Sequence, residues 1–105
     1  MINITVKEKN SIIDEIVVSG HSGYSHRGTD IVCASVSSIV ITTINALVRF
    51  NANIKYDEKD GFVSIKLLEH NNIVDVLILN MLELFKELEK DYKENVKINK
   101  EVSSC

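Results

Sequence analysis

The sequence predicts an α+β fold in two layers: a mostly antiparallel sheet of four to five strands with two helices on one face, in the order β-β-α-β-β-α and a possible last strand. Three observations carry this. Apolar and polar residues alternate near the start of the chain, two long stretches repeat apolar residues at helical spacing, and an Asp60-Gly61 pair between two short runs marks a hairpin.

The first element is read from Ile2, Ile4 and Val6, which alternate with Asn3, Thr5 and Lys7 as in a half-buried strand. Lys9 to Ser11 is a turn. Ile12 to Ser19 returns with Ile16 and Val18 on one face and Glu15 and Val17 on the other, so the two runs form an antiparallel hairpin. That hairpin delivers Gly20 and His21 to one end of the sheet.

From Ile31 to Phe50 there is neither Gly nor Pro, and Val32, Val36, Ile39, Val40, Thr43, Leu47 and Phe50 recur at helical spacing. Ala34, Ile41, Ile44 and Val48 make the other side apolar too, which predicts cover on a second face by another helix or subunit. Asn53 to Glu58 and Phe62 to Leu67 form a second hairpin around Asp60-Gly61. Val74 to Tyr92 reads as a second helix, with Val74, Leu77, Ile78, Met81, Phe85, Leu88 and Tyr92 on one face. Val96, Ile98 and Val102 then mark a short edge strand, rich in the lysines that discourage edge pairing.

A chain of 105 residues with 45% apolar content suits one domain over residues 1–105. The formal net charge of −3, with no Trp and no basic stretch interleaved with aromatics, offers no electrostatic footprint for nucleic acid. MINITVKEKN alternates and lacks a continuous apolar run, so neither a secretory signal nor a membrane anchor is expected, and the protein is expected in the cytoplasm. Its two cysteines, Cys33 and the last residue Cys105, make no disulfide framework.

Chemistry concentrates in Gly20 to Ser38, GHSGYSHRGTDIVCASVSS. His21 sits at a strand exit, and Asp30 is the expected cap of the first helix, placing Cys33 in its first turn. A thiol attacks as thiolate, and a helix N-terminus and a nearby imidazole both lower a cysteine pKa from roughly 8.5. A free helical cysteine is, on its own, more often a small buried hydrophobe. Its position after a polar loop with a histidine ahead of it raises the nucleophilic reading, with His21 as general base and then general acid. His26 is the rival base.

The negative charge of Asp30 opposes thiolate formation, so its expected role is capping and anchoring the loop. The first-turn backbone N–H groups, those of Cys33 and Ala34 among them, are natural donors to a tetrahedral oxyanion. Ser37 lies one turn after Cys33 on the same face, able to bond within the site or back to a preceding carbonyl. Tyr24 and Arg27 are candidates to touch substrate. The loop from Ser22 to Thr29 is expected to move as a lid, hinged at Gly23 and Gly28. His21, His26, Asp30 and Cys33 are all zinc-binding types, but no paired spacing such as Cys-x-x-Cys exists, so no metal is expected.

At these residues the chain resembles the ribosomal-processing cysteine protease (Prp) family of bacteria, whose pattern is Gly-His, a short Gly-containing loop, then Gly-x-Asp-Ile-Val-Cys-Ala-x-x-Ser. Here it reads Gly20-His21 and Gly28-Thr29-Asp30-Ile31-Val32-Cys33-Ala34-Ser35-Val36-Ser37. Ser22 stands where the family usually has Ala, and Ser35 where it more often has Gly or a small apolar residue. The resemblance implies the same fold, a homodimer packed through helices, no cofactor, and a catalytic pair of His21 and Cys33. It implies as substrate a ribosomal protein precursor, the large-subunit protein numbered twenty-seven, whose short apolar N-terminal extension is removed after an aromatic residue. The competing reading is a non-catalytic ribosome-associated or assembly-binding protein that uses the same loop to dock a peptide.

Overall fold

A computed structural model describes residues 1–25 and 30–103. His26, Arg27, Gly28 and Cys105 lie outside the described residues, so the rival base, one proposed hinge and the terminal thiol have no structural account.

Strands β1 (Ile2–Lys9) and β2 (Ile12–Ser19) pair antiparallel, and Asn10 and Ser11 between them both have positive φ, 53° and 65°. That is the backbone a two-residue type I′ turn demands. Helix α1 (Ile31–Arg49) follows, then strands β3 (Ile54–Lys59) and β4 (Phe62–Leu67), helix α2 (Asn72–Asp91), and strand β5 (Val96–Ser103). The sheet runs β3-β4-β2-β1-β5. All pairings are antiparallel except β1 with β5, which is parallel, so the sheet is mixed.

The last strand is the edge strand expected, and it runs on to Ser103. It spans eight residues and pairs along the whole of β1, from Ile2 opposite Val96 to Lys9 opposite Ser103. Its seven C-terminal residues are mostly polar and their side chains are largely uncovered, which is why pattern reading shortened it.

One core joins the layers. Ile2, Ile4 and Val6 of β1, Ile16 and Val18 of β2, and Ile65 and Leu67 of β4 meet Val32, Val36, Val40 and Leu47 of α1 and Val74, Ile78, Met81 and Phe85 of α2. Both helices therefore lie on one sheet face, as the alternation in β1 requires. By length and composition α1 could cross a bilayer, but Val32, Val36, Val40, Thr43, Ile44 and Leu47 are buried within this fold.

The helix ends show why the predicted bounds shift slightly. α1 stops one residue before Phe50 because Asn51 is left-handed (φ 55°), with Ala52 N–H bonded to the Leu47 carbonyl and Asn51 N–H to that of Val48. These are the two bonds of a Schellman motif. α2 starts two residues early because Asn71 caps it, its Oδ1 accepting from Val74 N–H at 3.0 Å.

The second face of α1 is covered within one chain only at Ile44 among the four residues expected there. Ala34, Ile41 and Val48 are exposed, and so are Ile73, Val76 and Leu79 on α2.

Candidate active site

The site forms where the exit of β2, the head of α1 and the turn between β3 and β4 converge on a cavity of about 890 Å³. Gly20, His21 and Gly23 line it from the strand exit, and Asp30, Cys33, Ala34 and Ser37 from the helix. Tyr24, also expected at the site, meets Tyr92 edge-on, ring centroids 5.5 Å apart; Gly28 lies outside the described residues.

Gly20 N–H donates to the Gly61 carbonyl at 2.9 Å, joining the strand exit to the β3–β4 turn. Gly20 has φ +95°, and a Cβ there would run into the Met1 carbonyl oxygen. Both facts require glycine. His21 follows, exposed to the cavity, its imidazole resting on Gly61: a Cβ at Gly61 would lie 3.0 Å from Nε2 and 3.3 Å from Cε1. Contact with that glycine places the ring. No hydrogen bond joins imidazole and thiol among the described residues; catalytic hydrogen bonds commonly tighten only with substrate in place.

Asp30 caps α1. Its Oδ1 accepts from Val32 N–H and Cys33 N–H, both at 2.9 Å, while Oδ2 accepts from the Ser22 hydroxyl and, at 3.3 Å, from Ser25 N–H. The Ser22 hydroxyl, opposed by burial and aided by the Cys33, Ser25 and Val32 amides, lowers the Asp30 pKa to about 2. Asp30 thus anchors both the helix and the loop, as its position in the sequence suggests.

The capping geometry bears on the expected oxyanion donors. The Cys33 amide is taken by Asp30 Oδ1, and the Ala34 amide by the Asp30 carbonyl at 3.1 Å, so these first-turn donors are already committed. A carboxylate cap and an oxyanion cannot both be first choice for the same N–H groups.

Cys33 is half-buried, and its Sγ accepts from the backbone N–H of Ser22 at 3.5 Å. Ser22 is the residue sequence reasoning passed over. It is 2% exposed; besides its hydroxyl bond to Asp30 it receives Tyr24 N–H at 3.1 Å, and its carbonyl accepts from Asn95 Nδ2 at 3.0 Å. In the loop's first part, Ser22 to Ser25, contacts with Asp30, Tyr92 and Asn95 each hold a residue. Asn95 is 73 positions away in the chain, and no local signal could have pointed to it.

Ser37 lines the cavity. Ser35 and Thr43 bond back to the carbonyls of Ile31 and Ile39, but the Ser37 hydroxyl makes no such bond among the described residues and faces the cavity. Farther along, Val36, Val40 and Ile41 of α1 oppose Phe62 and Val63 of β4, giving the cavity an apolar end. Glu58, Lys59 and Asp60 supply its polar rim, with Lys59 Nζ 5.7 Å from the Phe62 ring centroid. A thiol at a helix head, an imidazole on the facing turn and a channel between them are what thiol acyl transfer needs.

The family model for Cysteine protease Prp matches residues 1–97. The chain belongs to the Prp family of cysteine proteases. The ribosomal processing cysteine protease Prp of Staphylococcus aureus is 31% identical over 102 residues, covering 93% of this chain and 95% of the relative. The Prp of Bacillus subtilis is 25% identical over 107 residues, covering 93% and 96%. Among solved structures, the S. aureus Prp with a covalently linked product peptide superposes with a TM-score of 0.91 at 23% identity, covering 96% of this chain and all of that one. A Streptococcus mutans protein reaches 0.78 at 28% identity, with 98% and 96% covered. As a Prp-family member the chain is a cysteine protease of the ribosomal-processing type.

Proposed function

We propose that this Prp-family protein removes the short apolar N-terminal extension of the large-subunit ribosomal protein numbered twenty-seven, through an acyl-enzyme on Cys33. The Cys33 thiolate attacks the scissile carbonyl carbon, the C–S bond forms, and the carbonyl π pair moves to oxygen. Collapse of that adduct expels the amine, which takes its proton from His21. Water, deprotonated by His21, then releases the acyl group and regenerates the thiol.

The observation that carries this reading is that His21 and Cys33 line one cavity from facing elements, with an apolar end suited to an aromatic side chain of the substrate. The S. aureus relative holding a covalently linked product peptide supports the covalent route. Gly20, Gly23, Asp30, Ala34 and Ser37 shape the cavity wall beside the reacting pair.

The enzyme is proposed to act in the cytoplasm, where its substrate is made, as one domain. It is further proposed to work as a homodimer joined through the helices. Ile41 and Val48 of α1 and Val76 and Leu79 of α2 are each about half exposed (49–57%), an apolar cluster that a second copy would cover.

Cys33→Ala and His21→Ala should each abolish cleavage with the melting temperature retained, and His26→Ala should keep it. Activity surviving His21→Ala but lost in His26→Ala would overturn the base assignment.

A further inference from the structure

With the Cys33 and Ala34 amides already bonded to Asp30, an oxyanion formed at the sulfur is best met by a different donor close to it. One backbone N–H already points at the reacting atom: that of Ser22, 3.5 Å from Cys33 Sγ. We infer that Ser22 N–H is the oxyanion donor of this protease and that Asn95 is the residue that aims it. The inference rests on the acyl-transfer reading above and assigns one of its working parts.

The electron flow explains why one N–H can serve both atoms. Before attack the negative charge sits on sulfur, and the Ser22 N–H stabilises it there. As the C–S bond forms, that charge passes to the carbonyl oxygen, which is bonded to the same carbon and so lies next to the sulfur. A donor within hydrogen-bonding range of Sγ needs only a small shift to reach about 2.7–3.1 Å from the oxyanion. The interaction then strengthens as the transition state forms, which is the condition for raising kcat.

Such a donor works only if it does not reorganise, and the Ser22 peptide is fixed at three points. Its side chain is locked to Asp30, its own hydroxyl receives Tyr24 N–H, and its carbonyl is held by Asn95 Nδ2. Asn95 is itself rigid: its N–H donates to the Tyr92 carbonyl at 2.9 Å, and its carbonyl accepts from Ile2 N–H at 2.8 Å at the head of the parallel β1–β5 pair. The Asn95 bond to the Ser22 carbonyl fixes the Ser22–Gly23 peptide, and with the two hydroxyl bonds it holds the Ser22 Cα from which the N–H of the preceding peptide is directed at the thiol. Asn95 is a positioning residue, acting through Ser22.

The test compares two reactions of the same sulfur. Cleavage of a peptide spanning the processing site passes through an oxyanion, whereas alkylation by iodoacetamide is a displacement at carbon and does not. Asn95→Asp keeps the size and backbone bonds but replaces the donor with an acceptor; Asn95→Ala removes the side chain. Both should lower kcat by roughly ten-fold or more, part of the ~10²–10³ that a lost oxyanion donor costs. KM should stay within about two-fold, and alkylation, which loses only the weaker contact of the Ser22 N–H with sulfur, should slow far less than kcat, by about two- to three-fold at most.

Should both variants melt below the assay temperature, the same split is read at a lower temperature on Asn95→Gln, which keeps an amide but displaces its donor from the Ser22 carbonyl. An unchanged kcat would overturn the inference, as would alkylation falling in step with kcat, because the N–H would then serve the thiolate alone. Cys33→Ala separates the two proposals: if it still cleaves, the acyl-transfer reading itself fails, whereas a dead Cys33→Ala beside a fully active Asn95→Asp sinks only the oxyanion assignment.

Discussion

The imidazole of His21 rests on Gly61, the second residue of the β3–β4 turn, so closely that a Cβ there would lie 3.0 Å from Nε2. Gly61 thus serves two ends. Its φ of +70° closes a hairpin, and its missing side chain leaves the place that the imidazole occupies.

Gly61→Ala should accordingly do two separable things. The left-handed backbone costs about 1–2 kcal/mol with an alanine in place, visible in urea unfolding. The new methyl also pushes the imidazole away from its position, so cleavage should fall by roughly ten-fold or more even at a temperature where the variant is fully folded. Cleavage that tracked only the folded fraction would show that the contact does not set the ring's position.

Asp30 predicts an acid dependence of stability. Its folded pKa of about 2 is below the ordinary value of 3.8, so its contribution is fully present above the unfolded value and is lost as pH falls through the folded one. Asp30→Asn keeps an acceptor for the helix cap but removes the titration. The stability difference between the two proteins should hold steady above about pH 4 and shrink toward pH 2. A difference independent of pH across that window would mean that the carboxylate is not held in its ionised form by Ser22 and the helix.

The helix surface predicts the oligomeric state. Light scattering on a sizing column should give the mass of a dimer, and Val48→Glu together with Leu79→Glu should give a folded monomer, because two charges would be buried unpaired at the interface. A monomer from the unmodified protein at micromolar concentration would remove the helix-packed dimer.

How far the sequence could be read follows from where each part of the structure keeps its information. Alternation in Ile2, Ile4 and Val6 and helical spacing from Val32 to Leu47 are local, and they place the hairpins, both helices and the shared core. The cap at Asp30 and the placement of Cys33 after it were legible for the same reason: a capping side chain acts two to three residues along the chain. The sequence motif likewise placed His21 at a strand exit.

What escaped was non-local or already explained. Gly61 looked fully accounted for by its turn, so nothing suggested that an imidazole 40 positions earlier needs its empty space. Ser22 looked like a small variation in a loop, although it is buried and bonded to Asp30, Cys33 and Asn95. Asn95 reaches the site only because β5 runs parallel to β1, a pairing that periodicity cannot reveal. That the Cys33 and Ala34 amides are already bonded was not legible either: the same residue that caps the helix accepts from both.

The most direct test of the account is the intact mass of the extended ribosomal protein numbered twenty-seven after incubation with this enzyme and, in parallel, with its Cys33→Ala variant. The account predicts one cut, after an aromatic residue, that releases the apolar extension with the unmodified enzyme and leaves the protein whole with the variant. An uncut protein in both reactions, or equal cutting in both, would contradict it.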